Sequence, residues 1–132
     1  MSSFHLTIVT LDGSKFDSQA ERLTVRTTEG EVTILARHIN YAAALGMGPA
    51  VIVADGVQRK AAAIGGMLAV TNGEVRLIAS TFEWSEEIDV DRAKASLANA
   101  ESNLEKSDLS AEERTFFEAA RRRALVRLGV VK

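Results

Sequence analysis

The sequence predicts an all-β N-terminal domain, a sandwich or a barrel, followed by an antiparallel α-helical hairpin. Residues up to about 83 form short alternating segments separated by glycine-containing turns. From residue 90 the apolar residues recur every three or four positions, as they do on one face of a helix. A short linker between two such helical segments favours antiparallel neighbours. We therefore divide the chain into residues 1–84 and residues 85–132.

The first half of the β domain contains three predicted strands. Residues 4–10 alternate apolar and polar, which places Phe4, Leu6 and Ile8 on the inner face of the first strand. Residues 22–27 repeat this alternation with Leu23 and Val25 inward, and residues 32–35 resume it after a break. Residues 36–49 lack a clear period, so we expect irregular structure there.

The second half reads as two β-hairpins. Segments 51–54 and 57–64 flank an Asp-Gly pair, and segments 67–71 and 74–81 flank an Asn-Gly pair. Both pairs are preferred two-residue loops, because the central residues of these turns need positive φ. We expect Gly65 and Gly66 to form a bulge or tight bend between strands.

The helical segment carries its own start and stop signals. Asp89 is a suitable N-cap for a first helix that ends near residues 107–108. Ser110 and Glu113 form a capping box for a second helix, which we expect to end at Gly129. The facing stripes of the two helices are rich in alanine, so they bury little area. We expect the pair to be held together weakly and to be able to open.

The charge of the chain is unevenly distributed. The formal net charge is −2, but residues 111–132 carry +3 and residues 1–110 carry −5. A basic tip on an acidic body suggests a partner for the tip, or else a solubilising face. Nucleic acid is not expected as the partner, because the body is acidic and no aromatic residues alternate with the basic ones.

Several classes of protein are disfavoured by what the sequence lacks. It contains no cysteine, so disulfides and thiolate chemistry are absent. No basic start followed by an apolar run marks a signal peptide, and no apolar run is long enough to span a membrane. Motifs typical of phosphate loops, zinc proteases and serine hydrolases are missing. We expect no catalytic residues and no metal site.

Two polar features remain as candidates for function. His38 lies in the irregular segment, and binding residues are common in such segments. His5 lies on a strand, and we expect it to be an ordinary, partly exposed strand residue. An acidic cluster joins the two domains, and its spacing matches no calcium loop. This cluster comprises Glu83, Glu86, Glu87, Asp89 and Asp91.

Four segments of the chain resemble the epsilon subunit of bacterial F-type ATP synthases. They are FHLTIVTLDG at 4–13, GEVTILARHI at 30–39, IGGMLAV at 64–70 and IDVDRAKA at 88–95. The resemblance covers essentially the whole length. It implies a β-sandwich of about ten strands with a two-helix C-terminal domain, in a non-catalytic rotor subunit that couples proton translocation to ATP synthesis. It also implies a peripheral location on the cytoplasmic face of the bacterial inner membrane, reached only through the complex.

The resemblance also implies partners for particular residues. The sandwich would dock on the gamma subunit and the c-ring, with Glu31 and His38 at that contact. The hairpin would extend to inhibit ATP hydrolysis, and its basic second helix would meet the alpha and beta catalytic subunits. The inhibitory cations are Arg114, Arg121, Arg122 and Arg123. The family usually has Pro-Gly before the histidine and proline soon after it, whereas this chain has Ala36-Arg37 and Asn40, so its loop conformation should differ.

Some family members bind a regulatory ATP that favours the folded hairpin, although none is required as a cofactor. The motif for this is I/L-D-x-x-R-A, which this chain matches from Ile88 to Ala93. The residues that the resemblance implies for ATP binding are Glu83, Ile88, Asp89, Arg92, Ala93, Arg123 and Arg127. One family arginine is replaced by Asn99, which should weaken ATP binding by about 1–3 kcal/mol.

Three alternatives to these expectations stay open from the sequence. Asp89 could simply be the N-cap of the first helix, and Arg92 a surface residue in its first turn. The chain could be a stand-alone ATP-sensing module, whose hairpin closes on nucleotide without any rotor. It could also be a small hydrolase on a β-sandwich, although no nucleophile–base pair is evident.

Overall fold

The computed structural model describes residues 2–131 and contains, within them, eight β-strands, one short 3₁₀ turn and two α-helices. The strands are β1 (Phe4–Thr10), β2 (Gly13–Ala20), β3 (Arg22–Thr27), β4 (Gly30–Ile34), β5 (Tyr41–Ala44), β6 (Met47–Ala54), β7 (Val57–Thr71) and β8 (Glu74–Trp84). The 3₁₀ turn covers Ser85–Glu87, and the helices are α1 (Val90–Leu104) and α2 (Ala111–Val130).

The strands form one continuous sheet that folds over on itself into two layers. The order of pairing is β2-β1-β8-β7-β6-β3-β4, with β5 on the second half of β7. One layer contains β4, β3, β6, the first half of β7 and the end of β8. The other layer contains β5, the second half of β7, the start of β8, β1 and β2. Because β7 and β8 serve both layers, eight strands supply about ten strand segments. The predicted sandwich with a helical hairpin is confirmed.

The main core fills the space between the layers. The predicted inward residues of β1 and β3 are all buried there, which confirms the alternation. Fully buried large side chains come from both layers: Leu6, Ile8, Leu23, Val25, Ile34, Ile52, Leu68, Val70, Val75, Leu77 and Phe82. Every residue of this core lies between positions 4 and 84, so the helices contribute nothing to it.

The bend at Gly65 and Gly66 lies within one strand, not between two strands as predicted. Both glycines have positive φ, of 69° and 118°, yet the pairing of β7 with β8 keeps its register through them. A Cβ on Gly66 would lie 2.0 Å from the carbonyl oxygen of Ile78. Glycine is therefore required here, where β7 passes from one layer to the other.

Two strands were not anticipated from the sequence. β2 is an edge strand of mostly exposed polar residues, so it shows no apolar alternation. β5 lies in the segment expected to be irregular and consists of Tyr41 and three alanines that pair with β7. β6 also begins at Met47, inside that segment. Alanine has weak intrinsic β propensity, and pairing with a long neighbouring strand overrides it.

The caps of both helices are as predicted. Asp89 accepts a hydrogen bond from the backbone N–H of Arg92 at 3.1 Å. Ser110 and Glu113 form the reciprocal capping box, with both bonds at 3.0 Å, and the backbone N–H of Ser110 lowers the pKa of the Glu113 carboxyl. The helix ends differ slightly: α1 ends at Leu104, and α2 continues one residue past Gly129.

The hairpin rests on the sandwich through a small apolar contact. Within the hairpin, the residues buried between the helices are alanines, as expected for a thin seam. Near the end of α2 a second apolar cluster joins it to the linker and to β7. This docking patch consists of Ala62, Ile88, Val126, Val130 and Val131. Neither helix is long and apolar enough to cross a membrane, judged over residues 2–131.

Candidate functional site

A cleft of about 570 Å³ lies where the end of β8, the linker and both helices meet. It is lined by Glu83, Glu87, Asp89, Arg92, Ala93, Ser96, Ala120, Arg123 and Arg127. Its volume is in the range of small-molecule and cofactor sites. The cleft is therefore large enough for a nucleotide.

The walls of the cleft come from both arms of the hairpin. Arg92 and Ser96 are four residues apart on α1, and Arg123 and Arg127 are four apart on α2, so each pair shares a helical face. The alanines Ala93 and Ala120 leave room between the two helices. The cleft consequently exists only while the hairpin is closed and docked.

Each carboxylate in the cleft already has a partner within the chain. Glu83 accepts a hydrogen bond from the Arg127 Nε at 2.5 Å. Glu87 accepts from the backbone N–H of Trp84 at 3.0 Å and lies 3.6 Å from the ammonium of Lys15. Asp89 is occupied as the N-cap of α1. The negative charges of the cleft are thus largely compensated.

Arg92 and Arg123 have no such compensation. Within residues 2–131 neither guanidinium makes an ion pair or a side-chain hydrogen bond, although both line the cleft. Two uncompensated guanidinium groups facing one cleft favour an anionic ligand, with phosphate or carboxylate as the matching geometry. The closed hairpin can therefore hold a polyanion between its two arms.

The structure brings together most of the residues that the resemblance implies for ATP binding. Of the seven, all but Ile88 line the cleft; Ile88 is instead buried in the docking patch. Asn99 lies outside the cleft lining, and its side-chain and backbone oxygens accept hydrogen bonds from Asn103. The resemblance did not indicate three further lining residues, Glu87, Ser96 and Ala120. Helical spacing from Arg92 and Arg123 identifies Ser96 and Ala120, whereas Glu87 lies in the linker and has no such signal.

Glu31 and His38 lie toward opposite ends of β4. Glu31 is the second residue of the strand and pairs with Arg26, whereas His38 lies four residues past its end. Their side chains are not brought into one compact site. Both are nevertheless on the sandwich, away from the cleft.

The loop that contains His38, residues 35–40, is tied to its surroundings. The His38 ring bonds to the carbonyl oxygen of Ile39 at 2.8 Å and packs edge-on against Tyr41. Asn40 accepts a hydrogen bond from the backbone N–H of Asn72 at 2.8 Å. We call this segment the His38 loop. It presents a defined surface at the end of the sandwich where β7 turns into β8.

The predicted inhibitory arginines divide into two groups. Arg114, Arg121 and Arg122 are exposed and form no ion pair within residues 2–131, whereas Arg123 is half-buried in the cleft. The first three are available to an acidic partner in the closed hairpin. Arg123 lines the cleft together with Arg92.

An apolar row on the outer surface of the sandwich was not anticipated. Ala44, Met67, Ile78 and Val9 are successive pairing partners across four strands, so their side chains share one face. Met67 is 48% exposed and Ile78 is 55% exposed, which is unusual for large apolar residues on neighbouring strands. We call these four residues the apolar row, and it is a candidate contact surface.

Comparison with protein families matches residues 3–132 in two parts. Residues 3–85 match the model described as "ATP synthase, Delta/Epsilon chain, beta-sandwich domain". Residues 86–132 match the model described as "ATP synthase, Delta/Epsilon chain, long alpha-helix domain". The two matches meet at the linker between β8 and α1.

Curated relatives match over nearly their full length. An ATP synthase epsilon chain from Shouchella clausii is 33% identical over 132 residues, covering 100% of this chain and 97% of the relative. One from Caldicellulosiruptor bescii is 36% identical, covering 100% and 96%. One from Ruminococcus albus is 37% identical over 131 residues, covering 98% and 97%.

Solved structures share the fold at lower identity. A chain of the Euglena gracilis mitochondrial ATP synthase, in an OSCP/F1/c-ring structure, has a TM-score of 0.73 at 23% identity and covers 99% of this chain and 78% of that one. A chain of the Tetrahymena thermophila central stalk and c-ring has a TM-score of 0.64 at 14% identity, covering 97% and 96%. Together, the two family matches and the relatives establish that this chain belongs to the delta/epsilon chain family of ATP synthases and is of the epsilon type.

Proposed function

We propose that this chain is a rotor subunit in the central stalk of a bacterial F-type ATP synthase, on the cytoplasmic side of the membrane. In this role the sandwich binds the gamma subunit and the c-ring, and thereby helps to couple proton translocation to ATP synthesis. The hairpin restrains ATP hydrolysis when it leaves the sandwich and reaches the alpha and beta subunits. The names of the relatives and the stalk and ring assemblies of the structural neighbours support this proposal.

The small contact between hairpin and sandwich is the observation that carries the proposal. The docking patch buries only a few apolar side chains, each worth about 1.5–3 kcal/mol at most. The Glu83–Arg127 pair adds one ion pair whose side chains are 35% and 26% exposed, so its contribution is about 1 kcal/mol. A difference of a few kcal/mol between docked and released states is one that a partner can reverse.

Two surfaces of the sandwich suit the rotor partners. The apolar row is exposed in the isolated chain. Permanent protein contacts usually have an apolar centre, and the apolar row could form that centre in a contact within the stalk. The His38 loop supplies the polar contact implied for the ring, whereas Glu31 lies apart from it at the start of β4. In this arrangement the gamma subunit covers the apolar row, and the c-ring meets the His38 loop.

The inhibitory role is tested by removing residues 89–132 from the chain. We expect the truncated chain to bind the ATP synthase and to raise ATP hydrolysis relative to the complex with the full chain. Co-sedimentation with the complex is the control, because a chain that no longer binds would also relieve inhibition. A truncated chain that stays bound and leaves hydrolysis unchanged would contradict the inhibitory role.

The cleft supports a second part of the proposal, regulatory ATP binding that favours the closed hairpin. Triphosphate held between Arg92 and Arg123 would join the two helices and act as a clamp. Calorimetric titration of the full chain should detect ATP binding, and Arg92→Ala should weaken it about tenfold or more. Arg121→Ala is the matched control, since Arg121 is exposed on the same hairpin and does not line the cleft.

The missing family arginine gives a converse test of this clamp. Asn99→Arg adds a cation two helical turns beyond Arg92 on the same helix, and it should tighten ATP binding. Absence of heat at millimolar ATP for the unaltered chain would remove the clamp from the proposal. It would leave the rotor role unaffected.

The alternative of a stand-alone ATP-sensing module makes a different prediction. Such a module would close on ATP but would not co-purify with the gamma subunit. Membership of the epsilon family favours the rotor role over this module and over a hydrolase. Recovery of the chain free of gamma, together with tight ATP binding, would favour the module.

A further inference from the structure

The 3₁₀ turn between β8 and α1 is bound to the sandwich by side chains from two strands. The guanidinium of Arg59 on β7 donates to the Glu86 carboxylate at 2.7 Å, and this bond lowers the pKa of Glu86 below its ordinary value. Lys15 on β2 lies 3.6 Å from the Glu87 carboxylate, which also accepts from the backbone N–H of Trp84. Contacts from β2, β7 and β8 therefore meet on this turn.

Arg59 makes a second contact, which fixes its own side chain. Its guanidinium carbon lies 3.6 Å from the centre of the Trp84 ring, where a cation is attracted to the face of an indole. Trp84 is itself 5% exposed and packs edge-on against Phe82 in the main core. Because a charged hydrogen bond and a buried ring both hold the guanidinium, Arg59 links the turn to a rigid part of the sandwich.

The junction between the turn and α1 is less constrained. Ile88 and Asp89 both have extended backbone, with φ of −73° and −79°, and they separate the turn from the helix. Within residues 2–131 the carbonyl group of Ile88 and the N–H of Asp89 form no hydrogen bond. Hinges in proteins are a few element-terminal residues that absorb changes in φ and ψ. These two residues are therefore suited to be the pivot of the hairpin.

A pivot at this junction breaks only the contacts that any release of the hairpin must break. These are the docking patch and the Glu83–Arg127 ion pair, the one salt bridge within residues 2–131 that joins the hairpin to the sandwich. A pivot before the turn, at the end of β8, would in addition break the contacts of Arg59 and Lys15 with the turn. The junction after the turn is therefore the less costly pivot.

We propose that Arg59 fixes the 3₁₀ turn to the sandwich, so that the hairpin pivots at Ile88 and Asp89 when it is released. This rests on the proposed function, in which the hairpin leaves the sandwich. Opening at this pivot divides the cleft by charge, because Glu83 and Glu87 stay with the sandwich while the three arginines of the cleft leave with the helices. Arg59 thereby keeps the acidic wall in position for the returning hairpin.

The test compares hydrogen exchange at the turn with release of the hairpin, both in the full chain. The N–H groups of Trp84 and Ile88 are bonded to Glu87 and Ser85, so their exchange, followed by NMR, reports whether the turn stays in place. Val130→Ala weakens the docking patch, and spin labels on the sandwich and the hairpin tip measure the released fraction. We expect that fraction to rise while exchange at both amides stays within twofold.

Arg59→Ala supplies the second half of the test. Added to Val130→Ala, it should speed exchange at the turn about tenfold or more, because the released hairpin then takes the turn with it. Glu86→Gln keeps the cation–π contact and removes the charged acceptor, so it should give a smaller increase. Arg22→Ala is the matched control and should change nothing, since Arg22 is bonded to Gln58 and not to the turn.

Four outcomes would overturn the inference or its basis. Exchange at the turn that rises in proportion to the released fraction in Val130→Ala overturns the pivot. Unchanged exchange on addition of either Arg59→Ala or Glu86→Gln overturns the role of Arg59. An equal increase at amides throughout β8 overturns that role as well, because it assigns the effect to unfolding of the sandwich. A hairpin that stays docked in every variant would instead overturn the mobile hairpin of the proposed function.

Discussion

His5 lies between two carboxylates on the outer surface of three neighbouring strands. Its Nε2 is 2.5 Å from Asp17 on β2, and its Nδ1 is 3.7 Å from Glu74 on β8. The hydrogen bond to Asp17, with the charge of Glu74 as a smaller contribution, raises the pKa of the His5 imidazole above its ordinary value of 6.5. The protonated ring thus links the edge strand β2 to the centre of its layer.

Replacing His5 by glutamine should alter stability in a pH-dependent way. Because the folded pKa is raised, the stabilisation is fully present below about pH 6.5 and is lost as the pH rises through the folded pKa. The melting temperature of the unaltered chain should exceed that of His5→Gln at about pH 6, and the difference should shrink as the pH is raised through the folded pKa of His5. His38→Gln is the control, since His38 contacts Ile39 and Tyr41 rather than a carboxylate. A difference that grows with pH would contradict this account.

At the residue scale, the sequence was informative where short-range spacing decides the geometry. Helical spacing places Arg123 and Arg127 on one face of α2, and the resemblance to the epsilon family implied that they share a site with Arg92; the structure brings all three to one cleft. The pairing of Glu83 with Arg127 was not predictable, because it joins residues of different domains and depends on how the hairpin docks. The left-handed conformation of Arg37 was equally hidden, since arginine carries no signal for positive φ.

At the element scale, the end of α2 attaches the hairpin to the sandwich. Val130 is 4% exposed in the docking patch, whereas Leu125 of the same helix is 50% exposed. Val130→Ala should weaken docking by about 1–2 kcal/mol through lost apolar burial, and Leu125→Ala is the matched control. The hairpin seam should remain intact in both variants.

Spin labels can measure this docking, because the chain has no native cysteine. Cysteines placed at the exposed positions Ser14 and Ser107 would report the distance between the sandwich and the tip of the hairpin. Val130→Ala should add a second population of distances, and Leu125→Ala should not. A single unchanged population in Val130→Ala would show that the docking patch does not hold the hairpin.

Elements were predictable from the sequence when their own residues carry the pattern. Both helix caps, the two glycine-containing hairpin turns, and the inward faces of β1 and β3 followed from local chemistry. β2 and β5 did not, because an exposed edge strand lacks alternation and an alanine strand is set by its neighbour. The continuity of β7 was also missed, since paired glycines usually end a strand and here they bend it between layers.

At the scale of the whole molecule, the sandwich has a complete core without the helices. Every residue of the main core lies within positions 4–84, and the apolar cluster that removal of the hairpin uncovers, the docking patch, is separate from that core. A chain that ends at residue 88 should therefore unfold cooperatively, with a melting temperature within several degrees of that of the full chain. The change of period near residue 90 predicted a boundary between two units, whereas the site at which the hairpin docks was not predictable from the sequence.

The single tryptophan provides the measurement for this truncation. Trp84 packs against Phe16 and Phe82 and lies under the guanidinium of Arg59, all of which belong to the sandwich. Its fluorescence should therefore be nearly the same in the truncated and full chains, and it should change in one transition on heating. A broad transition, or a red-shifted emission before heating, would mean that the helices are needed to complete the sandwich.

The parallel pairing of β1 with β8 has a consequence for synthesis on the ribosome. Leu6 pairs with Val75, so the first strand made remains without its central neighbour until almost seventy further residues have been translated. At roughly 5–20 residues per second this delay lasts about 3–14 s. During that time an apolar nascent segment is open to chaperones or to misassembly, whereas the hairpin emerges last, onto a sandwich that has just been completed.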